Sequence, residues 1–130
     1  MRFEDEKDYV MRIIKEAVRV FFSLTFGKKY ISVEQERENP YEISGMKLSD
    51  LFRMADAGKI NEAENRVLGQ IDYTDKKEVA AAALFYQYLS EKEESFLKQN
   101  QFSEEEVLDG IKQVMQNAGC GEITGIMEEG

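Results

Sequence analysis

Val79-Ala80-Ala81-Ala82-Ala83-Leu84-Phe85-Tyr86-Gln87-Tyr88-Leu89 is the stretch on which the fold class turns. Alanine has the highest helix propensity because it loses no side-chain entropy, and Phe85 and Leu89 fall on one face at i, i+4. The run predicts a helix whose small residues let a neighbouring helix approach closely. Outward from it the signals stay helical. Upstream, Thr74 or Asp72 stands where an N-cap belongs. Downstream, Ser90 with Glu93 and Ser103 with Glu106 have the spacing of capping boxes. The first opens a short helix through Phe96 and Leu97; the second opens one carrying Val107, Leu108, Ile111, Val114 and Met115 that ends near Gly119.

Toward the N-terminus, Met46, Leu48, Leu51, Phe52, Met54 and Ala55 mark a helix that stops at Gly58. Asn61 with Glu64 then reads as the N-cap pair of a helix carrying Ala63, Val67, Leu68 and Ile71. Over residues 8–26 the apolar positions Val10, Ile13, Ile14, Ala17, Val18, Phe21 and Leu24 recur at three and four, and Gly27 supplies a C-cap. Met11, Val20, Phe22 and Phe26 widen this apolar side beyond one stripe, so the helix is expected to be covered on more than one side by the domain, a second copy, a partner or lipid. Residues 27–45 contain the one proline and no sustained period, and read as a connector. Ile31 and Val33 alternate as a strand does, but a lone strand has no partner, so no sheet is expected. Residues 119–130, rich in glycine, read as a flexible tail. The expectation is an all-α single domain of about six helices: the N-terminal helix at 8–26, a connector at 27–45, a helical body at 46–118, and the tail.

Composition narrows function by exclusion. The chain has 130 residues, 42% of them hydrophobic and 33% charged, as in a soluble globular protein. Its longest uncharged stretch, Val79 to Ser90, is too short to span a bilayer. Met1–Glu6 is acidic where an export signal is basic, and the single Cys120 fits a reducing compartment, so a cytoplasmic location is expected. With no histidine, imidazole acid/base chemistry and most transition-metal sites disappear. Residues 1–30 hold seven basic and five acidic residues, a net +2, while the remainder carries −11. A body this acidic repels phosphate backbones, and no nucleic-acid partner is expected.

Candidate chemistry is sparse. Glu62 with Glu64 and the run Glu104-Glu105-Glu106 are possible paired carboxylates, yet both sit in first helical turns, where negative charge complements the helix dipole. No calcium loop is present, and Phe26-Gly27-Lys28-Lys29 lacks the second glycine and the Ser or Thr of a phosphate loop. Cys120, between two glycines and far from any basic residue, reads as an incidental thiol. No catalytic residue, cofactor or metal is expected.

Two resemblances add to this reading. The turn Ala57-Gly58-Lys59-Ile60-Asn61-Glu62-Ala63 resembles the centre of a tetratricopeptide repeat, in which glycine ends helix A and the alanine of helix B lies against it. A poorer copy follows about 32 residues later, with Ala83 and Tyr86 in helix A and Ser95 in the alanine position. The resemblance covers 46–100, and implies that the helix after Ser103 caps the array and that Arg53, Met54 and Tyr86 line a concave partner-binding face. The whole chain is also similar to a family of uncharacterised small acidic helical proteins of Gram-positive bacteria, through Asp8–Glu16, Gly58–Asn65 and Phe102–Glu106 with Asp109-Gly110. The reading is a non-catalytic module that binds a protein partner. Its alternative is membrane-surface association or homodimer formation through Phe21, Phe22 and Phe26 of the N-terminal helix.

Overall fold

The computed structural model describes residues 3–129; Met1, Arg2 and Gly130, and the side chains of 3–6 and 128–129, lie outside that description. The chain runs α1 (Phe3–Phe26), α2 (Val33–Glu36), β1 (Glu42–Ile43), β2 (Met46–Lys47), α3 (Leu48–Asp56), α4 (Ile60–Gln70), α5 (Lys76–Ser90), α6 (Glu94–Gln99), α7 (Glu104–Asn117) and α8 (Gly121–Glu129). It is essentially all-α, with a two-stranded ribbon of two residues per strand.

α5 is the central post. Every residue from Val79 to Gln87 is buried, and the helix packs mainly against α7 and α1, then α3. Four consecutive buried alanines leave room for these helices to come close from several directions. The closest approach is at Gly110 of α7, where an added Cβ would lie 2.3 Å from the Tyr86 ring. The polar groups of α5 that do go inside have partners. Tyr30 donates its hydroxyl to Gln87 Oε1 at 2.6 Å, and Ser90 Oγ donates to the Gln87 carbonyl at 2.6 Å. Lys7 of α1 donates to the carbonyls of Ser90 and Lys92, a cation at the C-terminal end of α5 where the helix dipole is negative.

The apolar side of α1 is covered from within. Ile14, Ala17, Val18, Phe21 and Phe22 are fully buried, with α5, α8 and α7 as the neighbouring helices. Gly27 at φ +60° ends α1, and the Lys28 N–H reaches back to the Phe22 carbonyl.

Elsewhere the caps and ends depart from the sequence expectations. Asp75, not Asp72 or Thr74, caps α5 by accepting the Lys77 N–H. Ser90 closes α5 rather than opening α6, whose N-cap is Glu93. Only Ser103 with Glu106 forms a complete capping box. Asn61 does not cap α4; its amide donates to the carbonyls of Asn100 and Gln101, tying the α3–α4 turn to the α6–α7 turn. Gly58, at φ +86°, leaves the space that Asn100 occupies.

Two segments hold more structure than expected. Ser44 (φ +47°) and Gly45 (φ +88°) form the turn of the β1–β2 hairpin, both in the left-handed region that a two-residue type I′ turn needs. The expectation of no sheet is corrected to that extent, though Ile31 and Val33 take no part in it and Val33 begins α2. The flexible-tail expectation is also corrected. After Gly119 (φ +81°) the chain starts α8, which buries Ile123 and Met127 against α1 and α7. The helices number eight among the described residues, and α1 starts at Phe3 rather than residue 8.

The packing does not establish the repeat frame. α3 and α4 pack as a helical hairpin with Ala63 buried, but α6 is not among the principal neighbours of α5, and Ser95 is exposed where the frame puts it against helix A.

Two carboxylates beside α5 give the stability opposite pH slopes. Glu64 accepts the Tyr86 hydroxyl at 2.8 Å; burial pushes its carboxyl above the usual range, against the Tyr86 hydrogen bond and with the Glu106 charge adding to the rise. A raised carboxyl contributes stability below its unfolded pKa that is lost as pH rises through the folded value. Asp56 behaves oppositely. Burial pushes it upward, but hydrogen bonds from Lys92 and Tyr88 prevail and hold it low, so its contribution is present above the usual value and lost as pH falls through the folded one. Denaturation midpoints measured against pH are expected to decline less above about pH 4.5 in Glu64→Gln, and to fall less steeply in acid in Asp56→Asn.

Candidate functional site

The connector does more than connect. Pinned by the Tyr30–Gln87 hydrogen bond and by Arg37, whose guanidinium lies 4.9 Å from the Phe52 ring centre and 5.2 Å from that of Tyr88, it folds back over the end of α1. The result is a half-open surface cavity of about 300 Å³ lined by Phe26, Lys28, Asn39, Pro40, Tyr41 and Lys77.

One buried carboxylate organises it. Glu36 closes α2 with its side chain inside the protein, and its Oε1 accepts from Lys28 Nζ at 2.7 Å, Tyr41 OH at 2.9 Å and Asn39 Nδ2 at 3.0 Å. A buried charge of this kind is tolerated only with such partners. Burial, together with the Glu36 carboxylate it faces, drives the Tyr41 phenol well above its usual range, so the hydroxyl stays a donor. With three donors converging on one oxygen, Glu36 holds Lys28, Asn39 and Tyr41, three of the cavity's lining residues, in place. Phe26, 37% exposed, supplies an aromatic wall and is braced edge-on by Phe21 and Phe22. Lys77 stands in the first turn of α5, exposed and with no ion pair among the described residues.

Of the candidate partner-binding residues named from the sequence, Phe26 alone reaches this cavity; Lys28, weighed there only for a phosphate loop, lines it too. Phe21, Phe22 and Tyr86 are fully buried, which corrects their assignment to a partner or membrane surface: periodicity shows that a side chain is apolar, not which neighbour covers it. Tyr86 also cannot line a concave face, because α5 is enclosed. Arg53 is exposed and paired with Asp50 at 2.6 Å; Met54 is half-buried against the core. The two are not brought together with Phe26 in the cavity.

Of the carboxylates, Glu62, Glu104, Glu105 and Glu106 stand in first helical turns, whereas Glu64 lies beyond the first turn of α4, where it accepts the Tyr86 hydroxyl. Glu62 faces Arg66 at 3.7 Å, and Glu106 completes the α7 capping box. Glu104 and Glu105 border a second cavity of about 350 Å³ with Tyr9 and Leu108. Among the described residues no group of three or more carboxylates or thiols is placed to hold a metal, and no helix is long and apolar enough to cross a membrane. Cys120 is half-buried in the α7–α8 turn.

Sequence reading passes over Asn39, Pro40, Tyr41 and Lys77. They come from segments without period, and the one usable signal is the single proline between two hydrogen-bonding side chains, just after the acidic run.

Fold and site together define a class: an all-α protein in which a short non-helical segment frames a surface cavity at the exit of the first helix. The chain belongs to a family of unknown function, DUF6483, whose model matches residues 4–119. No curated protein and no solved structure matches it.

Proposed function

We propose that the chain is a non-catalytic binding module that holds a protein partner at the cavity between Phe26, Pro40 and Tyr41. The observation that carries this reading is a preformed recess with a partly exposed aromatic wall, held rigid by the Glu36 hydrogen bonds. Recognition sites are concave, apolar and equipped with a few fixed polar groups, and this recess has that make-up. The three hydrogen bonds on Glu36 Oε1 give it a positioning role, which supports holding over turnover. Membrane association through α1 loses its main anchors because Phe21 and Phe22 face the core, which leaves Leu24 (68% exposed), Phe26 and Ile31 (51%) outside.

A photoreactive phenylalanine analogue placed at Phe26 and activated in intact cells tests the reading. A discrete covalent adduct with another protein is expected from position 26 and not from Arg66, which is exposed on α4. Adducts of equal yield from both positions, or none, overturn it. A cross-linked dimer of the chain itself replaces it with homodimer formation.

A further inference from the structure

We infer that the second cavity, near the start of α1, is a docking surface for a basic segment of a partner protein, which lays the stem of an arginine or lysine against Tyr9, Val10 and Leu108 and sets its cationic head among the carboxylates of Glu94, Glu104 and Glu105. This surface is independent of the one around Phe26, which lies about 25 Å away along α1.

Its make-up is the first argument. Tyr9, 37% exposed, stands with Val10 and Leu108, both half-buried, and the rest of the described lining is Ser103 and the three glutamates. An apolar wall beside a carboxylate rim complements a side chain that is aliphatic along its stem and charged at its tip. The aromatic ring adds a face on which guanidinium and ammonium groups are attracted. At about 350 Å³ and half open, the recess has room for one or two such side chains and not for a large cofactor. Among the described residues no three carboxylates gather around one point as a metal site requires, so the charge is disposed for an extended cation.

Charge is the second. None of the seven described lining residues is basic, and the residues directly beside them in sequence add Asp8, Glu93, Glu106 and Asp109 and no cation. Of the cations on the same helices, Lys7 is spent on the carbonyls of Ser90 and Lys92, and Lys98 stands 3.9 Å from Glu94. Arg12 and Lys112 lie a helical turn beyond Tyr9 and Leu108. Glu105 is exposed, with no ion pair among the described residues. The positive end of the α7 dipole offsets only about half a charge and is met by the Ser103–Glu106 capping box. A recess of this sign on a chain of formal charge −9 draws basic segments in and turns acidic ones away.

Peptides selected against the full-length protein from a random library displayed on phage, and then titrated by fluorescence anisotropy, test this. Enriched sequences are expected to share arginine or lysine. Their affinity is expected to fall about three- to fivefold in Glu105→Gln and in Tyr9→Ala and to weaken between about 0.05 M and about 0.5 M salt. It is expected to stay within about twofold of the parent in Glu62→Gln, an exposed carboxylate of α4 outside the cavity. Both cavity positions are exposed, so circular dichroism is expected to match the parent, and either variant decides alone if the other has lost helix. An equal loss in Glu62→Gln reduces the binding to general attraction by an acidic protein and overturns the inference, as do enriched peptides without basic residues, affinities unchanged in both cavity variants, or no enrichment. Peptides lost in Phe26→Ala but not in Glu105→Gln sit at the other cavity; they overturn this inference and leave the proposed function standing. Spermidine that binds as tightly as the peptides, with the same dependence on Glu105 and Tyr9, replaces the protein segment with a polyamine.

Discussion

Gly110→Ala is expected to lower the melting temperature by roughly 10 °C, although alanine is the better helix former by about 1 kcal/mol. The reason is the 2.3 Å separation between the new Cβ and the Tyr86 ring. That ring is fully buried and tied to Glu64, so it cannot swing out, and α5 or α7 must shift instead. Overpacking of this kind costs about 1–3 kcal/mol or more, which outweighs the propensity gain. The cause is separable by a double-mutant cycle. In a Tyr86→Leu background, itself less stable, adding Gly110→Ala is expected to be neutral or stabilising. A single Gly110→Ala variant that melts at or above the parent temperature would show that α5 and α7 do not touch there.

Ala63→Glu is expected to cost several kcal/mol, a large part of the roughly 5–15 kcal/mol that holds a domain of this size together. Ala63 is fully buried where α4 faces α3, with no cation among the buried residues there to receive a carboxylate. Burial raises a carboxyl's pKa, so the variant's loss is expected to be smaller at about pH 4 than at about pH 7, where the charge must be carried inside. Ser95→Glu is the control. It places the same side chain at the corresponding position of the second repeat frame, which is exposed, and is expected to change stability by no more than about 0.5 kcal/mol. Equal effects at 63 and 95 would mean that both helix pairs form, against the packing described.

These contrasts show what could be read from the chain alone. Periodicity located α1, α3, α4 and α7 because each presents apolar residues at three and four, and alanine propensity located α5. α8 escaped because Gly121 and Gly125 depress its propensity, although Ile123 and Met127 stand at i, i+4; its stability comes from packing on α1 and α7. The hairpin escaped because two-residue strands carry no alternation to detect, and only Ser44-Gly45 marks it. Asn61 shows a different limit. Its side chain is equally suited to cap its own helix or to bind a distant carbonyl, and only the approach of Asn100 and Gln101 decides between them. The cavity was the least legible feature, since Lys28, Glu36, Asn39, Tyr41 and Lys77 meet through the path of the connector and not through any spacing between them.

The burial of α1 against both α5 and α8 bears on how the chain is made. α1 leaves the ribosome before much of its cover, which comes from elements roughly 50 to 100 residues later. At about 5–20 residues per second, the side of α1 that packs on the later helices stays uncovered for seconds, on the order of 5–20 s before α8 emerges. A helix with a broad apolar side thus waits for its cover during synthesis, and nascent chains halted before residue 121 are expected to bind chaperones and to resist misfolding less well than the full chain.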